Sequence, residues 1–137
     1  MLYALDTSTL VFLFRNDKSV SLKFSEIFSE NVNHKLLIPP IAYYETLRGF
    51  FIINAEKKIK SFKFLYEKSF KPDISEFEVM EKAAEIYYQR KIKGLPLEDA
   101  DILIAAWCVL SKATLVTDNI KHFKDIDGLN LENWKIR

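Results

Sequence analysis

Glu98–Leu110 reads EDADILIAAWCVL, and its second part, Ile102–Leu110, contains no polar residue. Such a run lies inside a folded protein whether it is helix or strand. Gly94 and Pro96 punctuate the chain just ahead of it, and Glu98, Asp99 and Asp101 crowd its start. Carboxylates in a first turn suit the positive end of a helix dipole, so the spacing predicts a buried helix over Pro96–Ser111. On that helix Glu98, Asp101, Ala105 and Cys108 share one face at intervals of three or four residues. The helix therefore drives Asp101 towards the interior. A carboxylate held there is costly unless a cation or hydrogen-bond donors meet it.

Working outward, the 137 residues are 49% hydrophobic and 14% aromatic, enough for one well-filled core, and one domain over residues 1–137 is expected. Three glycines and four prolines argue against disorder. The lone Cys108 excludes an internal disulfide and fits a reducing cytoplasm. MLYALD carries no basic leader, and no apolar run approaches the ~18 residues that span a bilayer, so a soluble, cytoplasmic protein with no membrane contact is expected. A net charge of +1 neither demands nor excludes a polyanionic partner.

Leu2–Leu5 reads as a buried strand, followed by Asp6-Thr7-Ser8 as the cap of a short helix through Phe14. Ser19–Asn31 reads as a surface helix, Lys35–Ile38 as a strand stopped by Pro39-Pro40, and Ile41–Phe51 as a helix around Glu45. A helix over Ala55–Phe70, an edge strand over Pro72–Ser75 and a helix over Glu76–Lys93 follow. After the organising helix come a strand at Ala113–Val116, a short helix at Ile120–Phe123 and an edge strand at Leu129–Trp134. Strands alternating with helices predict a three-layer α/β/α sandwich with a mostly parallel central sheet.

Sites in such sheets lie at the carboxyl ends of the strands. Asp6 and Asp118 stand there, and the helices of Glu45 and Asp101 can start at the same rim. Acids gathered so closely repel one another unless a hard divalent cation joins them, and Mg²⁺ and Mn²⁺ prefer oxygen ligands. His34 and His122 are too isolated, and Cys108 too solitary, to indicate zinc.

Leu5–Ser8 (LDTS), Glu45 in its helix, Asp101–Ala106 (DILIAA) after a Gly-Pro loop, Leu115–Phe123 (LVTDNIKHF) and Leu129–Trp134 (LNLENW) stand in an order that resembles the PIN-domain ribonucleases. Within them the chain is most similar to the VapC-type toxins of toxin–antitoxin pairs. The resemblance implies a PIN-like fold and a Mg²⁺- or Mn²⁺-dependent endoribonuclease, with Asp6, Glu45 and Asp101 as metal-holding catalytic acids. Asp118 is carried over as the fourth, although many relatives place that acid where this chain has Asn119, so that Asp118 is a ligand, a supporting residue or a cap. The resemblance also implies an RNA substrate, a homodimer and a cognate antitoxin protein that covers the site. Cleavage by metal-activated water leaves a 5′-phosphate and a 3′-hydroxyl.

Plainer roles compete with these. Asp6 and Asp118 can be helix caps, Glu45 can pair with Arg48, Glu98 and Asp99 can serve the helix dipole, and Cys108 can be an inert core thiol. A catalytically silent PIN-like module for RNA or protein binding is the main alternative. A phosphatase built on Asp6 is disfavoured because Ser8 occupies the place of its second acid. Glu56–Lys71 holds six lysines and two glutamates, a candidate RNA contact or a solvated face. Phe50, Phe51, Ile52, Ile53, Phe62, Phe64 and Phe70 exceed what one small core covers and suggest an interface.

Overall fold

The structure, a computed structural model, describes residues 1–29 and 33–137. Its sheet holds four strands, β1 (Leu2–Leu5), β2 (Lys35–Leu37), β3 (Thr114–Val116) and β4 (Asn130–Glu132), in the order β2-β1-β3-β4. All pairings are parallel, with Tyr3 opposite both Leu36 and Thr114, and Leu115 opposite Leu131. Parallel neighbours need crossovers, and helices supply them. Between β1 and β2 run α1 (Thr7–Phe14) and α2 (Lys18–Phe28). Between β2 and β3 run α3 (Pro40–Ile52), α4 (Glu56–Lys68), α5 (Glu76–Ile92) and α6 (Asp99–Ser111), and α7 (Ile120–Phe123) precedes β4. The result is the expected three-layer α/β sandwich, with the sheet entirely parallel. Among the described residues no helix is long and apolar enough to cross a membrane.

The two central strands carry the core. Ala4, Leu5, Leu115 and Val116 are fully buried, as are Ile102, Ile104, Ala105, Ala106 and Cys108 of α6. The apolar run that decided the fold therefore packs as expected, chiefly against α5. A second cluster joins α1, α3 and α4, where Phe62 meets Phe14, Phe50 and Tyr43 ring to ring. Phe50 and Phe62 thus belong to the core, while Phe51, Ile52, Ile53 and Phe64 remain exposed.

Several boundaries differ from the sequence reading for local reasons. No strand forms at Pro72–Ser75; the outer edge of β2 instead takes one bond, from Phe70 N–H to Leu36 O at 2.7 Å. Pro72 has no N–H to extend a ladder, and Ser75 is already committed to capping α5. There Ser75 Oγ accepts from Glu78 N–H (3.1 Å), and Glu78 Oε2 accepts from Ser75 N–H (2.8 Å). This reciprocal box stops the chain from continuing as strand. The organising helix starts at Asp99 with Glu98 as its cap, three residues beyond Pro96. α2 starts at Lys18, capped by Asp17, and ends at Phe28. The expected extension to Asn31 falls partly outside the described residues. β4 is confined to Asn130–Glu132, because only these residues pair with β3.

An all-parallel sheet points every carboxyl end the same way, and the exits from the strands are tied together. Asp6 N–H donates to Val116 O (3.1 Å), and Thr117 N–H to Glu132 O (2.9 Å). The residues directly after β1 and β3 are thereby held side by side.

Candidate metal centre

Asp6 leaves β1 straight into the cap of α1. Its Oδ1 accepts from Thr9 N–H at 2.9 Å and Ser8 Oγ at 3.0 Å, and its Oδ2 from Thr117 Oγ1 at 2.5 Å. The cap and the candidate ligand are therefore one side chain, so the plain role and the functional role coexist. Asp6 is only 5% exposed, and burial pushes its pKa up even though Thr117, Thr9 and Ser8 hydrogen bonds pull it down. All the donors it meets are neutral. Among the described residues none of the ion pairs involves it.

Glu45, half-buried on α3, accepts from Thr7 Oγ1 at 2.7 Å. The pairing with Arg48 does not form, since that guanidinium donates to Tyr44 Oη at 3.3 Å and lies over the Tyr44 ring. Thr7 adjoins Asp6, so this hydroxyl ties the acid of α3 to the exit of β1. Asp101, in the first turn of α6, is half-buried and its pKa is raised. Burial is the largest cause; His122 opposes it, while Asp6, Glu45 and Glu98 add to it. Asp6, directly after β1, and Glu45 of α3 thus both act on Asp101 of α6.

Asp118 is placed differently. Its carboxylate takes both arms of Arg137, Nη1 to Oδ1 at 3.0 Å and Nη2 to Oδ2 at 2.7 Å, and Asn133 Nδ2 at 3.2 Å. The Arg137 hydrogen bond is the main reason its carboxyl titrates below the ordinary range. Asp118 is not among the groups acting on Asp101, and it does not cap α7, which begins after Asn119. Successive side chains leaving a strand alternate sides. Thr117 points to Asp6, so its neighbour points away. Glu98 and Asp99 stay exposed, and Cys108 is fully buried with its thiol pushed far up by burial, which excludes it as a nucleophile.

Sequence reasoning undervalued three residues. Thr117 and Thr7 supply the hydroxyls that aim Asp6 and Glu45, and His122, set aside as too isolated for zinc, lends its field to Asp101. A hydroxyl residue directly beyond an apolar strand, as in Leu115-Val116-Thr117, was the available signal.

Among the described residues no three His, Cys, Asp or Glu side chains close on one point as ready ligands. The acids converge in field, while Glu45 rests on Thr7. A carboxylate whose proton affinity two others raise, one of those two deeply buried with only neutral donors, makes an oxygen donor set that fits a hard divalent cation. Asp6, Glu45 and Asp101 are the residues able to hold it.

A family model described as PIN domain matches residues 3–129. Ribonuclease VapC2 of Rickettsia felis is 30% identical over 98% of both chains, and Ribonuclease VapC1 of Haemophilus influenzae strain R2866 is 27% identical over 98% of both. Among solved structures, VapBC2 from Rickettsia felis bound to a promoter DNA fragment superposes with a TM-score of 0.82 at 28% identity, covering 98% of this chain and 100% of that one. VapBC-1 from nontypeable Haemophilus influenzae gives 0.80 at 27%, covering 98% of each. With its all-parallel sheet, and with a family model and curated relatives matching nearly its whole length, the chain belongs to the PIN-domain family, in the group of the VapC ribonucleases.

Proposed function

We propose that the protein is a divalent-metal-dependent endoribonuclease and the toxin of a toxin–antitoxin pair. The observation that carries the reading is the convergence of Asp6 and Glu45 on Asp101, whose proton affinity their charges raise. When bound, Mg²⁺ or Mn²⁺ lowers the pKa of a water and neutralises charge on the phosphate. The chain's own residues prepare that place. Thr117, Thr9 and Ser8 fix the Asp6 carboxylate so that little side-chain entropy is lost when it engages a cation. Thr7 holds Glu45 toward the same rim. His122, when protonated, offsets acidic charge and leaves a phosphate less repelled. Asp118 anchors Arg137 and supports the site from outside it.

Two partner surfaces accompany this function. The solved relatives are VapBC assemblies, and for this chain we assign an antitoxin segment to the cleft of about 700 Å³ beside β2. Phe24, Phe28, Leu65 and Phe70 wall it and Lys35, Lys68 and Lys71 line it as well, which suits an acidic segment with apolar anchors. A second copy of the chain is assigned to the face of α3, α5 and α6, where Tyr44, Met80, Leu103 and Trp107 line a groove.

The test is cleavage of end-labelled RNA by the purified protein with Mg²⁺ or Mn²⁺ and with chelator. Metal-dependent cutting that leaves 5′-phosphate and 3′-hydroxyl ends, lost in Asp101→Asn, is expected. Products with 2′,3′-cyclic phosphate, or cutting that survives chelation, would overturn the mechanism.

A further inference from the structure

We infer that the outer face of α4 is a track for single-stranded RNA, an inference that rests on the ribonuclease reading above. Lys57, Lys60, Phe64 and Lys68 follow one another at intervals of three or four residues, so they form a single stripe along the helix. The stripe lies opposite Phe62, which is fully buried, and therefore faces solvent. Phe64 is 60% exposed in the middle of it. An outward lysine is ordinary, but a large aromatic ring set among outward lysines leaves apolar surface without cover.

The rings and cations occur in pairs. Lys68 Nζ lies 5.4 Å from the centre of the Phe64 ring, and Lys63 Nζ lies 6.0 Å from that of Phe51, itself 55% exposed at the end of α3. Among the described residues none of these lysines has a carboxylate within ion-pair distance. Glu56 and Glu67 border the stripe on the same helix, and Glu56–Lys71 still keeps a surplus of four positive charges on a chain of +1.

A repeated unit of one flat apolar ring beside one unpaired cation fits a base beside its phosphate. Stacking needs only a ring face, and backbone contact only a charge, so such a surface holds RNA with little regard to sequence. Phe64 is set singly between Lys60 and Lys68 rather than fused into an apolar patch, which favours a stacked base over the continuous apolar face of an acidic helix. The stripe from Lys57 to Lys68 is about 16 Å long, the reach of a few nucleotides.

The experiment measures binding of a short, mixed-sequence, single-stranded oligoribonucleotide at several salt concentrations, with chelator present to prevent cleavage. The variants are Lys57→Glu/Lys60→Glu/Lys68→Glu and Phe64→Ala, all at exposed positions, with folding checked by melting. The triple variant should bind at least about tenfold more weakly, with a salt slope shallower by about 2, the value for three lost phosphate contacts on a single strand. Phe64→Ala should weaken binding about tenfold with the slope unchanged, the signature of lost stacking. With metal restored, both variants should cleave a dinucleotide, too short to reach α4, at the wild-type rate. If the wild type cleaves RNA and both variants bind the oligonucleotide as it does, the track is refuted and the nuclease reading stands. Variants that keep RNA but lose a glutamate-rich peptide would reassign the face to a protein and refute the track. A wild-type protein that neither binds nor cleaves RNA would defeat the nuclease reading and the track together.

Discussion

Asp101→Asn should make the metal-free protein more stable while removing its response to metal. Asp101 is half-buried, its pKa is raised first by burial, and Asp6, Glu45 and Glu98 push in the same direction. A carboxyl whose folded pKa lies above its unfolded value favours folding most when protonated. That contribution is complete below the unfolded pKa of about 3.9, and it is lost as pH rises through the folded pKa. At pH 7.5 the whole penalty is present, and asparagine removes it. Because Asp101 is only partly buried, screening limits the gain to the scale of partly exposed charge pairs, about 0.5–1 kcal/mol. Urea denaturation with chelator, followed through the tryptophans Trp107 and Trp134, should show that gain at pH 7.5 and its disappearance near pH 4. Adding Mn²⁺ at about one hundred times its Kd should stabilise the wild type by about 2.7 kcal/mol. The variant should gain far less, so that the order of stabilities reverses. Equal stabilisation of both proteins by Mn²⁺, or a variant less stable than wild type in chelator at pH 7.5, would refute the claim that these acids are held in mutual repulsion for a cation.

Thr117→Val keeps the shape of a fully buried side chain but deprives Asp6 Oδ2 of its hydroxyl donor. A loss of about 1.5–3 kcal/mol is expected at neutral pH, shrinking in acid as Asp6 becomes protonated, and a pH series of melts reads it. Phe62→Ala opens the aromatic cluster of α1, α3 and α4 and should cost about 3–5 kcal/mol by chemical denaturation. Arg137→Ala breaks an ion pair whose arginine is 64% exposed, so stability should fall by no more than about 1 kcal/mol. Asp118→Asn should likewise leave metal-dependent cleavage within severalfold of wild type, whereas a loss as deep as that of Asp101→Asn would place Asp118 among the ligands.

Much of the fold was legible because the elements announce themselves locally. Strands β1 and β3 are short apolar runs ended by an acid or a hydroxyl residue, and α6 is an apolar run behind three carboxylates. The strand expected at Pro72–Ser75 does not form because Ser75 and Glu78 build a capping box there, a local signal that the expectation left out. The apolar surplus of α3 and α4 was visible as a count. Which rings the core absorbed was not, since Phe62 and Phe64 differ only by their side of one helix.

The sequence by itself determined which residues are available: three acids on three separate elements, a parallel α/β order that brings strand ends to one edge, and a lysine-rich fourth helix. These follow from periodicity and caps, which act over a few residues. Only the tertiary structure decided that Thr7 holds Glu45, that Thr117 holds Asp6 across 111 positions of chain, and that Asp118 turns to Arg137. Each of those depends on the register between strands distant in sequence. A shift of one residue there reverses the direction of a side chain, and no local pattern records it.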